Sequence, residues 1–148
     1  MPGFDAGMHY KDKIPAASRF VLDVKNSMLI GVFSTYYFEI DLKSKRISYY
    51  QLEDELSKYG IVGIRPFNRN PFSPDHFFLT THTRMEDFPR VDLGSVIALN
   101  RESKKVDWCH TFTERGLGTN RPLITATHLY QKDLGNNLYI FEKQNCLP

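Results

Sequence analysis

The chain of 148 residues has a mass of 17.2 kDa, the size of one domain, and is long enough to bury a core. Its 41% apolar and 24% charged residues exclude wholesale disorder. No run approaches the roughly 18 apolar residues of a membrane-spanning helix. A net charge of +2 falls far short of the basic field of a dedicated DNA binder, whereas 11 Phe, 8 Tyr and 1 Trp make the chain rich in aromatics.

Residues 1–17 lack the basic start and apolar run of a secretory signal and read as an N-terminal arm that neighbours must tie down. Residues 18–148 read as a single β-rich domain. Short β-branched and aromatic runs alternate with polar turns. Arg19 to Val24 is the first predicted strand. Met28 to Phe33 is the second, apolar enough to be covered on both faces. Tyr36 to Asp41 and Arg46 to Tyr50 follow, and the four form an antiparallel meander. A short helix near 51–59 comes next. Glu53-Asp54-Glu55 places negative charge in its first turn, Leu52 and Leu56 share a face, and Gly60 can stop it. Ile61 to Phe67 is a strand, and residues 68–75, with Pro71 and Pro74, are a loop. Further strands are predicted at His76–His82, Gly94–Asn100, Val106–His110, Leu123–His128 and Asn137–Phe141, ten in all.

The sequence repeats itself. With Asp41 placed on Asn100, Ser44 falls on Ser103, Lys45 on Lys104, Ile47 on Val106, and Tyr49 nearly on Trp108. Both segments run strand, polar turn, strand, and close on an aromatic. Asn137 to Glu142 is a partial third copy. Gly94, Ala98, Leu99, Asn100, Ser103, Lys105 and Trp108 together resemble the outer hairpin of a quinoprotein-like or WD-type β-propeller blade. There a glycine precedes an Ala-Leu-Asp strand end, a Ser/Thr-Gly-Lys turn and a tryptophan. Lys104 stands where that pattern has glycine.

Length sets the resemblance against closure. Propellers close with at least four blades of about 40–45 residues, and this chain has room for about three. A propeller reading therefore requires a fragment, an oligomer or a larger parent. The expected fold is mostly β, an antiparallel meander forming a compact barrel or sandwich, with propeller-like blades as the alternative and a mixed α+β fold as the third.

No motif names a reaction, so whether the protein is an enzyme stays open. His82 and His128 each follow a threonine at a predicted strand end, and His110 follows Trp108 at period two, so those two rings share a face. With Arg84 as an anion contact, the three histidines are candidates for a small-ligand or metal site; the bland reading is solvated strand ends. Asp92 with Glu102-Ser103-Lys104 mimics a nuclease pattern, but Ser103-Lys104 reads as a hairpin tip. Glu114 to Arg121 reads as a flexible turn rather than a phosphate cradle. Cys109 and Cys146 form no motif and read as partly buried thiols, in keeping with a reducing compartment.

The connector from Arg65 to Phe78 interleaves arginine and phenylalanine, the composition of a protein-binding hot spot. Its Arg65, Phe67, Arg69 and Phe72 form the candidate partner-binding patch; the competing reading is that Phe67 and Phe72 only pin the loop to the core. The leading expectation is thus a non-catalytic, cytoplasmic interaction module that binds a protein partner or associates with itself. The small-ligand site is the alternative, and weak single-stranded nucleic-acid binding a second one. No cofactor and no membrane partner are expected.

Overall fold

The computed structural model describes residues 19–33, 35–64, 72–83, 93–112, 122–132 and 136–142. The arm at 1–17, Arg65, Phe67, Arg69, Arg84, Asp92, Cys146 and the segment 114–121 lie outside the described residues.

Among the described residues, eleven strands and one helix follow one another. Sheet I is β1 (Arg19–Asp23), β2 (Met28–Phe33), β3 (Tyr36–Asp41) and β4 (Ile47–Gln51), paired in chain order. Helix α1 (Glu53–Ser57) leads to sheet II: β5 (Ile61–Ile64), β6 (His76–Thr83), β7 (Leu93–Asn100) and β8 (Val106–Thr111), again in chain order. Sheet III holds β9 (Leu123–Ile124), β10 (His128–Lys132) and β11 (Leu138–Glu142). Among the described residues all pairings are antiparallel, and none of the sheets closes into a barrel. The mostly-β expectation is met, in sandwich-like layers.

Period-two alternation gives each sheet two faces. Ile30, Val32 and Tyr37 on the front of sheet I meet Phe77, Leu79, Ile97 and Leu99 on the back of sheet II, with Leu52 and Leu56 of α1 in the same cluster. Phe78, Val96, Ala98 and Phe112 on the front of sheet II meet Leu129, Ile124, Tyr139 and Phe141 on the back of sheet III. Sheet II is therefore the middle layer. That is why its central strands β6 and β7 read as nearly continuous apolar runs.

Helix α1 is too short to stand alone. It is fixed to β8 at one residue: Val106 donates its N–H to Glu55 Oε1 at 2.9 Å, and Tyr59 Oη donates to the Val106 carbonyl at 3.0 Å. Burial pushes the Glu55 carboxyl up, but its Lys58 and Val106 partners outweigh this and hold it below the usual range.

The two outer hairpins carry the same turn. Asp41 Oδ1 accepts the N–H groups of Lys43 and Ser44, and Asn100 Oδ1 accepts those of Glu102 and Ser103. Lys45 (φ 59°) and Lys104 (φ 60°) then take the left-handed conformation that glycine would adopt without strain. Their side chains differ in use. Lys104 pairs with Glu39 at 3.3 Å and lies over the Tyr37 and Tyr50 rings, 4.7 and 4.5 Å from their centroids, while Lys45 is exposed. Lys45→Gly should therefore stabilise the protein by about 0.5–1 kcal/mol, the left-handed strain less the added chain entropy. Lys104→Gly should destabilise it, because the same relief is outweighed by lost contacts. Urea unfolding of the two variants checks the opposite signs.

Two details depart from the sequence reading. A bulge after Leu99 and Val106 places Trp108 opposite Ala98 on the front of sheet II, whereas Tyr49 pairs with Phe38 on the back of sheet I. The aromatic that closes each copy thus points to opposite sides. The predicted strand Leu123–His128 is two elements: Thr125 and His128 bond across a turn, and β10 begins only at His128.

Candidate functional site

Phe72 is the one described member of the proposed contact patch. It is half-buried against the core between sheets I and II, and its backbone bridges to Phe77. Arg101, in the β7–β8 turn, holds this end of the connector. Its guanidinium carbon lies 5.4 Å from the Phe72 ring centroid, and its Nη1 donates to the carbonyls of Ser73 and Pro74, each at 3.1 Å. Phe72 therefore packs on the core at this end of the connector.

The other fork of the same guanidinium reaches sheet I, where Arg101 Nη2 donates to Asp23 Oδ2 at 2.8 Å. Both side chains are largely buried. Burial pushes the Asp23 carboxyl up, but hydrogen bonds from Asn26 and Arg101 outweigh it and hold the group below its ordinary value. Beside this pair, Tyr37 donates to Glu39 Oε1 at 2.6 Å, and burial followed by the Glu39 carboxylate raises the phenol well above its usual range. Lys104 completes the cluster. A basic pair from one turn of sheet II thus meets two acids of sheet I, which fixes the two layers in register.

His110 and His128 do not share one site. His110 lies on the front of sheet II among aromatic rings, stacked on Trp108 (6.3 Å, 13°) and 5.0 and 4.8 Å from Phe112 and Phe141. Burial lowers its pKa, so it is neutral at pH 7. His128 opens β10 beside Tyr130 on the front of sheet III, with Nδ1 2.8 Å from Thr127 Oγ1. Sheet III stands between the two rings, because Leu129 and Phe141 share the opposite face. His82 pairs its backbone with Gly94 near the end of β6. Since His128 starts its strand and His82 lies near the end of its own, they are not equivalent positions. Among the described residues no three His, Cys, Asp or Glu side chains converge as a metal site would require.

The sequence reading passed over His76. Its Nε2 lies 2.8 Å from Asp107 Oδ2, and Asn100 Nδ2 donates to the same oxygen at 2.9 Å. The Asn100 bond, helped by His76 and opposed by burial, holds Asp107 below the ordinary carboxylate range. The bulge frees Asp107 for this role. A pairing across 31 residues leaves no local trace, and only the repeat position of Asn100 hinted at it.

Cys109 is half-buried, and burial raises its thiol, so it is no thiolate nucleophile at neutral pH. Arg101–Asp23 and Lys104–Glu39 clamp sheet II to sheet I, whereas His76, Asn100 and Asp107 bond within sheet II. Comparisons of the chain with protein-family models, with curated proteins and with solved structures find no match.

Proposed function

We infer that this protein is a non-catalytic interaction module made of propeller-like blades, in which the connectors bind and the strands hold them. The observation that carries this reading is the recurrence of one plan: consecutive antiparallel sheets stacked face to face, two of them with the same left-handed hairpin turn. A stack of this kind is a rigid frame whose variable parts are the links at its ends. The connector between β5 and β6 carries Arg65, Phe67 and Arg69. Its outgoing end is held by Phe72, Arg101 and Asp23, so a contact made there costs less ordering than one on a loose loop. Arginine and phenylalanine favour a protein surface as the partner. A net charge of +2 offers little phosphate attraction, which disfavours a nucleic acid.

The test is affinity capture with the wild type and an Arg65→Ala/Phe67→Ala/Arg69→Ala variant, read by quantitative mass spectrometry beside the melting temperature. Proteins enriched on the wild type should fall to background on the variant, with Tm shifted by less than about 2 °C. An unchanged capture set removes the connector from the binding surface. A large fall in Tm assigns these side chains to the core.

A further inference from the structure

The three sheets follow one order of contact. The strands β3, β7 and β11 are each third in chain order within their sheets. When Asp41, Asn100 and Glu142 are set level, Phe38 aligns with Ile97 and Tyr139, and Ile40 with Leu99 and Phe141. In sheets II and III these are the residues that face the preceding sheet. The alternate positions, Tyr37, Val96 and Ala98, face the following sheet. The front of sheet I thus packs on the back of sheet II, with Tyr37 edge-on to Phe77 at 6.1 Å. The front of sheet II packs on the back of sheet III, with Trp108 edge-on to Phe141 at 5.0 Å.

This order leaves two apolar faces uncovered by any described element. The back of sheet I exposes Phe20, Leu22 and Tyr49 beside half-buried Leu29 and Ile47; Phe20 and Tyr49 flank the buried Phe38 at 5.5 and 6.2 Å. The Phe38 ring lies flat over Gly31, where a Cβ would come within 2.1 Å of it. The front of sheet III presents Leu123, Tyr130, Leu138 and Ile140. Contiguous exposed apolar residues of this kind mark interaction surfaces.

We propose that a second copy of this chain covers both: the front of sheet III in each copy packs on the back of sheet I in the other. The proposal rests on the propeller-like reading and extends it. The face that the order of contact calls for on sheet III is the back of a blade, and the uncovered back of a blade is what sheet I of another copy offers. Two copies would place six such sheets in one ring, within the four to eight blades that propellers use. A twofold axis makes the contact twice, so the assembly closes instead of growing into a filament.

Light scattering on the eluting protein over a wide concentration range tests this. The expected mass is twice the 17.2 kDa of the chain. Leu22→Glu and Ile140→Lys alter positions that are 51% and 56% exposed, so neither touches the internal core. Each alone should give a monomer with an unchanged circular dichroism spectrum. Mixed in equal amounts they should recover a dimer, because one contact is intact and the introduced charges are opposite across the other. A wild-type monomer at every concentration overturns the proposal, as does a dimer that survives either substitution alone, which would mean pairing of like faces. Neither result touches the connector reading, which capture on the Arg65, Phe67 and Arg69 variant decides separately.

Discussion

Arg101→Ala is expected to lower stability at pH 7 by about 3 kcal/mol, the usual cost of breaking a buried ion pair from one side. The loss has three parts. Asp23 keeps its charge but loses the guanidinium partner within a largely buried site. The carbonyls of Ser73 and Pro74 lose their donor. The Phe72 ring loses the cation that covers it. The first part depends on pH and the other two do not. Asp23, Glu55 and Asp107 all titrate below their ordinary values in the folded protein. For such acids the unfolded chain takes up protons first as pH falls, so their contribution is complete above the unfolded value, near 4, and fades below it. His110 acts in the same direction, since burial keeps it neutral while the unfolded ring protonates below about 6.5. The wild type should therefore lose stability steadily on acidification. In Arg101→Ala the stranded carboxylate is relieved when it takes a proton, so the gap between variant and wild type should narrow from pH 7 to about pH 3. Urea midpoints at the two pH values measure this. A gap that stays constant would place the loss in packing around Phe72 and not in the ion pair.

Much of the layer plan was legible because it is local. The Lys25-Asn26-Ser27 and Lys43-Ser44-Lys45 turns lie between alternating apolar runs, and each produced the meander expected of it. The helix followed from Leu52 and Leu56 on one face, and both are buried. The repeat was real at the turn, where Asp41 and Asn100 make the same pair of bonds. What failed to show was non-local or broke a pattern. A single extra residue in β8 reversed the facing of Trp108, and no periodicity scan separates a bulge from a register choice. The strand β10 was missed because its inward position Gln131 is polar, although fully buried. Arg101 and Asp23 meet across 78 residues, and His76 and Asp107 across 31, distances at which charge patterning carries no information. Histidines alike in their Thr-His neighbourhood differ in strand position, and sheet III separates His110 from His128.

Two phenylalanines that look alike in the sequence should differ several-fold in their contribution to stability. Phe77 sits on the back of sheet II, fully buried, edge-on to Tyr37 of sheet I and bridged by its backbone to Phe72. Phe77→Ala removes an aromatic ring from the seam between two layers. Those layers are also tied by Arg101–Asp23 and Lys104–Glu39, so the seam cannot collapse freely around the void. A loss of about 4 kcal/mol is expected, within the range for truncating a buried aromatic. That is a large share of the roughly 5–15 kcal/mol a domain of this size has. Phe20 sits on the back of sheet I, 41% exposed, edge-on to Phe38. Phe20→Ala should cost about 1 kcal/mol at dilution, from the lost ring pair and partial burial. The two variants also separate internal packing from assembly. The Phe77→Ala deficit should be the same at every protein concentration, because that ring lies inside one chain. The Phe20→Ala deficit should grow as concentration rises, because binding of a second copy stabilises the wild type by mass action and the truncated face gains less of it. Thermal unfolding of both variants across a hundredfold range of concentration reads the two slopes. A Phe20→Ala deficit as large and as concentration-independent as that of Phe77→Ala would mean that the back of sheet I is already part of the core.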